Sequence, residues 1–147
     1  MRNLRIRIVG GSLAGLFTAI LLQKDGHEVV VYERSHSGLA GRGAGLVPQE
    51  EVFHMLRTIG ADHAANVGVT ARERIYFNGD GSTAQRLSMP QTQISWDFLY
   101  SEVLARLEKG RYQTGRAVEA VIDADDGATI VFANGSSEKA DLVIGAD

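Results

Sequence analysis

Residues 9–15 read Val-Gly-Gly-Ser-Leu-Ala-Gly, and Glu33 follows 23 residues after the first of these glycines. Gly10 and Gly15 sit at the outer glycine positions of a G-x-G-x-x-G turn, and Ser12 sits at the middle one. The chemistry open to such a turn is recognition of a pyrophosphate. Gly10 would make the tight bend, with Gly11 inside it, and Gly15 would let a helix pack close to a strand. The amides near Ser12, Leu13 and Ala14 would point at phosphate oxygens, aided by the helix dipole. Ser12 departs from the pattern, because a side chain stands where backbone should approach the phosphates. Serine is small, and its hydroxyl could itself donate to a phosphate oxygen. Glu33 has the spacing of the acid that accepts from a ribose 2′-hydroxyl, which disfavours a 2′-phosphate. Taken singly, these residues would be a glycine-rich turn and an ordinary surface glutamate. Taken in register, they predict a dinucleotide site.

Nothing comparable points to bond-making side chains. The chain has no cysteine, which excludes disulfides, thiolate metal sites and thiol catalysis. His27, His36, His54 and His63 show no pair at metal-ligand spacing. No catalytic residue and no metal ligand is assigned.

The elements that must hold the turn can be read around it. Leu4 to Val9 is a short apolar strand with arginines interleaved. Leu13, Leu16, Phe17, Ile20 and Leu21 follow the spacing of one helix face, with Lys24 in the last turn and Gly26 beyond it. Glu28 to Glu33 is a second strand rich in β-branched residues. Strand, helix and strand within about 30 residues predict a βαβ unit with parallel strands and a right-handed crossover.

Beyond it, residues 34–47 are glycine-rich, and a second helix is expected from Pro48 to just before Gly60. Residues 69–77 and 83–89 read as a hairpin around Asn78-Gly79-Asp80-Gly81. A third helix is expected over 96–108, with Ser95 as its N-cap and with Trp96 and Tyr100 as core residues. A short strand at 111–114 precedes a meander of strands over 118–122, 129–133 and 137–140. Asp141 to Gly145 reads as a buried strand. The predicted parallel sheet has the order 111–114, 28–33, 4–9, 141–145, with the meander on one side. The fold class is α/β, a Rossmann-like dinucleotide-binding domain over 1–147. A covering helix usually follows a buried parallel strand, so the chain is expected to be an incomplete piece of a longer protein. The hairpin at 69–89 is expected to belong to a second sheet that binds substrate.

Four stretches carry a family resemblance. The run IVGGSLAGLFTAILLQKDGHEVVVYERS resembles the N-terminus of FAD-dependent aromatic-ring hydroxylases, the class A flavoprotein monooxygenases related to p-hydroxybenzoate hydroxylase. Arg42-Gly43-Ala44-Gly45-Leu46 resembles the family's loop beside the pyrophosphate and the flavin ring. Gln91 to Asp97 resembles the glutamine-led segment that opens a long helix, and DLVIGAD resembles the start of the family's Asp-Gly motif. The resemblance implies FAD as cofactor, with Glu33 on the adenosine ribose and Arg34 near the adenine. It implies that Arg42 neutralises pyrophosphate charge, that Gly43, Ala44 and Gly45 lie against the isoalloxazine, and that Gln91 hydrogen-bonds the cofactor. The implied reaction is hydroxylation of a small aromatic or N-heteroaromatic substrate with NAD(P)H and O2. The flavin would supply the redox chemistry and the protein would position it and exclude water.

Composition bounds the partners. The 147 residues carry 15 basic and 18 acidic side chains, a net charge of −3, which is too mild and mixed for a nucleic-acid binder or a polybasic membrane binder. Hydrophobic residues at 44% and charged ones at 22% fit an ordered globular domain. The uncharged stretch from Ile8 to Gln23 is shorter than the ~20 apolar residues of a bilayer span, and polar and glycine residues interrupt it. With no targeting signal read, the expected location is the cytoplasm. Two other classes share part of the pattern. An NAD-dependent dehydrogenase domain would share the βαβ unit but not the 42–46 loop or the meander. A fragment of incomplete sheet could bind nothing, and its uncovered apolar faces would promote self-association.

Overall fold

The computed structural model describes residues 3–41, 43 and 45–146. Strand β1 (Arg5–Val9) leads through the glycine turn into helix α1 (Leu13–Lys24) and on to strand β2 (Glu28–Tyr32). The two strands pair in parallel, with Ile6 opposite Val29 and Ile8 opposite Val31. Gly26 ends α1 at a φ of 87°, the left-handed conformation that a helix stop favours.

A two-residue strand β3 (Gly45–Leu46) precedes helix α2 (Glu50–Thr58) and a 3-10 turn at Asp62–Asn66. The helix starts two residues later than the predicted Pro48, with Gln49 as its N-cap and Glu50 and Glu51 in its first turn. Strand β4 (Val69–Phe77) and strand β5 (Thr83–Ser95) form the predicted hairpin, but β5 runs six residues past Met89. Pro90 suggested a stop. Instead it falls where the β4–β5 register shifts between Ala71 and Glu73, a bulge that needs no amide from a proline.

Helix α3 (Trp96–Leu104) follows directly, capped by the Ser95 hydroxyl, which accepts from the Phe98 amide. It is shorter than the predicted 96–108, because the chain tightens into turns from Ala105, with Leu107 N–H donating to Leu104 O. Strands β6 (Tyr112–Gln113), β7 (Val118–Ala124), β8 (Gly127–Phe132), β9 (Ser137–Ala140) and β10 (Leu142–Gly145) complete the chain.

The parallel sheet has the order β10-β1-β2-β6, as the sequence predicts, and β7-β8-β9 form an antiparallel meander. Period-2 alternation on β2 divides the core in two. Val29 and Val31 pack with Leu16, Phe17, Ile20, Leu99 and Val103 on the helical side. Val30 and Tyr32 pack with Ile130 and Phe132 of the meander on the other. Strand β10 is a sheet edge and is only half-buried, with Leu142 44% exposed, which corrects the expectation of a buried strand.

Arg7 is the exception in β1: it is 6% exposed and lies on the meander side. Its guanidinium donates to Glu138 at 2.6 Å and to Glu28 at 3.1 Å, so a buried charge is paired rather than stranded. Tyr32 also donates its hydroxyl to Glu138, so this one carboxylate ties β9 to both central strands of the parallel sheet.

Candidate functional site

The glycine turn sits at the end of β1, and its geometry follows from three close approaches. Gly10 has a φ of 113°, which side-chain-bearing residues rarely adopt, and its amide donates to Tyr32 O at 2.9 Å. A Cβ on Gly15 would overlap the Gly10 carbonyl, so the helix can approach the turn only because residue 15 is glycine. The α1 ladder begins at the Leu16 amide, which donates to Ser12 O, leaving the amides of Leu13, Ala14 and Gly15 without intrahelical partners. The Ser12 side chain makes no helix cap.

Gly11, inside the bend, is as constrained as its neighbours. A Cβ there would stand 2.7 Å from the Tyr112 ring and 2.8 Å from Glu33 Cβ. Side chains hold both of its backbone polar groups. Its amide donates to Glu33 Oε2 at 3.0 Å, and its carbonyl accepts from the Tyr112 hydroxyl at 3.1 Å. Tyr112 in turn accepts from the Tyr100 hydroxyl at 3.0 Å. Burial, together with the bond to Tyr100, pushes the Tyr112 phenol well above the usual tyrosine range, so it stays a protonated donor to Gly11.

Glu33 is no surface residue: it is 5% exposed, and its second oxygen accepts from Ser35 N–H at 2.8 Å. It borders a cavity of about 540 Å³ whose wall also includes Gly10, Gly11, Ser12, Arg34 and Gly43. Six predicted site residues therefore surround one space. Leu13, Ala14 and Gly15 form the first turn of α1 and are not part of the cavity wall. Gly45 pairs with Ser95 in β3, off the cavity wall. Gln91 is also off it, on β5, where its amide oxygen accepts from Arg74 at 3.3 Å. Arg42 and Ala44 lie outside the described residues.

The cavity uses residues that sequence reasoning did not single out. Trp96 packs against the core, as expected, but is half-buried: it stacks on the buried Tyr100 with centroids 4.8 Å apart and also forms a cavity wall near Gly43. Arg116, Ala117 and Val118, at the start of the meander, line the far side. Their signal in the sequence was slight: Gly115 breaks the chain at a φ of 67° just before them.

A parallel βαβ unit with a glycine turn, a buried acid at the end of the second strand and a meander on one sheet face defines a Rossmann-type dinucleotide-binding unit. A family model described as an NAD(P)-binding Rossmann-like domain matches residues 8–59. The chain's relatives are FAD-dependent aromatic hydroxylases and monooxygenases. A 2,6-dihydroxypyridine 3-monooxygenase of Paenarthrobacter nicotinovorans is 33% identical over 146 residues, covering 97% of this chain and 36% of the relative. The solved structure of 2,6-dihydroxypyridine-3-hydroxylase from Arthrobacter nicotinovorans superposes with a TM-score of 0.86 at 30% identity, over 99% of this chain and 37% of that one. HpxO of Klebsiella pneumoniae, solved with FAD and uric acid, shares the fold at a TM-score of 0.74 and 24% identity, over 97% of this chain and 39% of that one. The chain thus spans well under half the length of the proteins it matches.

Proposed function

We propose that the cavity holds the ADP half of FAD, and that this chain is the N-terminal, cofactor-binding part of a monooxygenase that hydroxylates an aromatic or N-heteroaromatic ring. The observation that carries the reading is the Gly11–Glu33 contact at the cavity wall. It sets the phosphate turn and the ribose acid side by side in one space. The glycine turn and the unpaired amides at the start of α1 fit a pyrophosphate, and Glu33 fits a ribose diol. Arg34 borders the same space, near the adenine in this reading. Arg42, Ala44 and Gln91 enter through the family resemblance, with Gly43 and Gly45 lying along the flavin side.

When bound, FAD would supply oxygen-transfer chemistry with NAD(P)H as reductant and O2 as oxidant. This chain's own residues bind and orient the cofactor, and none is assigned to proton transfer. The relatives' names support aromatic substrates of the pyridine or aminobenzoate kind. The alternative of an NAD-dependent dehydrogenase domain shares the βαβ unit, most of which lies within the 8–59 match, but gives no account of the meander.

The hairpin fits the same reading as the first strands of a substrate-binding sheet. Val69 is 75% exposed and Phe77 66% exposed on it, an apolar surface that would also support self-association of this chain. No helix among the described residues is long and apolar enough to cross a membrane, and a cytoplasmic site of action is part of the proposal. Titrating the purified protein with FAD and with NADH, followed by flavin fluorescence and calorimetry, tests the assignment. Saturable FAD binding that outcompetes NADH is expected. Binding of NADH alone would favour the dehydrogenase reading.

A further inference from the structure

We propose that Arg116 reads the base at the nucleoside end of the cavity, presenting a flat guanidinium to a purine ring. This rests on the reading of the cavity as a dinucleotide site. The position comes first. The Arg116 amide donates to Glu33 O at 2.9 Å, so its backbone adjoins the residue placed on the ribose. The phosphate turn meets Glu33 at its carboxylate and Arg116 meets it at its carbonyl, and Arg116, Ala117 and Val118 border the same cavity. Beyond a ribose, that is where a base must go, and the neighbouring alanine and valine suit a flat, weakly polar ring rather than a phosphate.

The state of the side chain comes second. The Arg116 guanidinium carbon sits 3.7 Å from the centroid of the Phe132 ring and 5.7 Å from that of Tyr32. Phe132 is itself fixed edge-on against Tyr32, with centroids 4.9 Å apart at 85°. One face of the guanidinium is therefore seated on an aromatic ring. Among the described residues no carboxylate lies within ion-pair distance of Arg116, although its charge reaches the Glu138 carboxylate, and its Nε is buried without a hydrogen-bond partner. Buried structural arginines are normally paired, as Arg7 is here with Glu138 and Glu28. An arginine stacked on a ring, without a direct ion pair and bordering a cavity is arranged to stack on a second flat partner. The sequence gives no hint of this, because Phe132 lies 16 residues further on, across the β7–β8 turn.

The test uses the intact protein, with ADP and UDP as probes beside FAD. The wild type is expected to prefer ADP over UDP by about tenfold, the scale of one desolvated cation–π contact. Arg116→Met keeps the packing on Phe132 and should bring the two affinities together. Arg116→Lys keeps the charge but loses the plane, and should lose most of the preference. As a readout that needs no variant, the Arg116 Nε–H resonance should shift when ADP is added and stay in place with UDP. Equal binding of ADP and UDP by the wild type, a preference that survives in Arg116→Met, or an unmoved Nε–H signal would each overturn the proposal. If FAD still binds in those cases, the dinucleotide reading stands and only the role of Arg116 falls. If neither FAD nor ADP binds the wild type, both fall together.

Discussion

Both carboxylate oxygens of Glu33 accept backbone amides, from Gly11 and from Ser35. A carboxylate has about four acceptor sites, so a ribose diol can add to these bonds without displacing them. Glu33→Gln keeps the shape but turns one acceptor into a donor, facing either an amide or the sugar. Loss of a charge-assisted bond should weaken FAD binding by about 1.5–3 kcal/mol, read by calorimetry. Unchanged affinity would make Glu33 only a brace for the turn. Gly11 is tested differently. An added methyl meets the Tyr112 ring, which Tyr100 holds in place, so Gly11→Ala should cost about 1–3 kcal/mol of stability. Combining it with Tyr112→Leu should recover part of that loss, giving a coupling energy in a denaturation cycle. At this scale spacing alone made the close turn at Gly10 and Gly15 legible and put Glu33 beside it. The sequence placed Trp96 and Tyr100 on a core helix face but was silent on their part in the site, as it was on Tyr112. Their roles depend on which hydroxyl or ring meets the turn from distant segments, and no local pattern records that.

Elements were legible where period and punctuation agree. The βαβ unit shows a clean helix face between two β-branched runs, and its register emerged as the hydrophobic pattern requires. At β5 local propensity was overruled by pairing, whereas α3 stops early because the chain tightens into turns from Ala105. Strand β5 continues through Pro90 because β4 and β3 offer it partners on the far side of the bulge. The apolar run 142–145 predicts a strand correctly, but burial depends on what lies beside it, and among the described residues β10 pairs on one side only, with β1. The bulge makes its own prediction. Pro90→Ala should change stability by less than about 0.5 kcal/mol, because that position gives the ladder nothing to lose. Of the adjacent Thr92 and Gln93, alternation makes one a donor to β4. The costlier of two prolines introduced there should therefore lose about 1–3 kcal/mol in urea unfolding. A large loss from Pro90→Ala would show that the proline itself sets the hairpin.

At the scale of the whole molecule, two sheets are joined across a face that carries charge as well as apolar side chains. Glu138 of β9 meets Arg7 of β1 and Tyr32 of β2. Burial alone would raise the Glu138 pKa, but hydrogen bonds from Tyr32 and Arg7 outweigh it and hold the carboxylate below the usual glutamate range. Its folded pKa is therefore lower than its unfolded one. The stability it contributes is present above the unfolded value and is lost as pH falls through the folded one. Tyr32 behaves in the opposite sense: burial first, and then the bond to Glu138, push its phenol above the usual tyrosine range. The unfolded chain ionises first as pH rises past about 10, so stability declines on that side too. Tyr112 adds to the same alkaline decline, again chiefly through burial. Unfolding free energy plotted against pH should form a plateau with an acid limb below the ordinary glutamate range and an alkaline limb above the ordinary tyrosine range. Glu138→Gln should flatten the acid limb and lower the plateau by about 1–3 kcal/mol, because the buried Arg7 keeps only Glu28 as a charged partner. Tyr32→Phe should make the alkaline limb shallower, leaving the part due to Tyr112, and should leave the acid limb in place, though less steep. Urea melts at half-unit pH steps would read both. An acid limb that survives Glu138→Gln unchanged would mean that the two sheets are held by the Tyr32–Phe132 and Val30–Ile130 packing alone, with the charge cluster contributing nothing to their union.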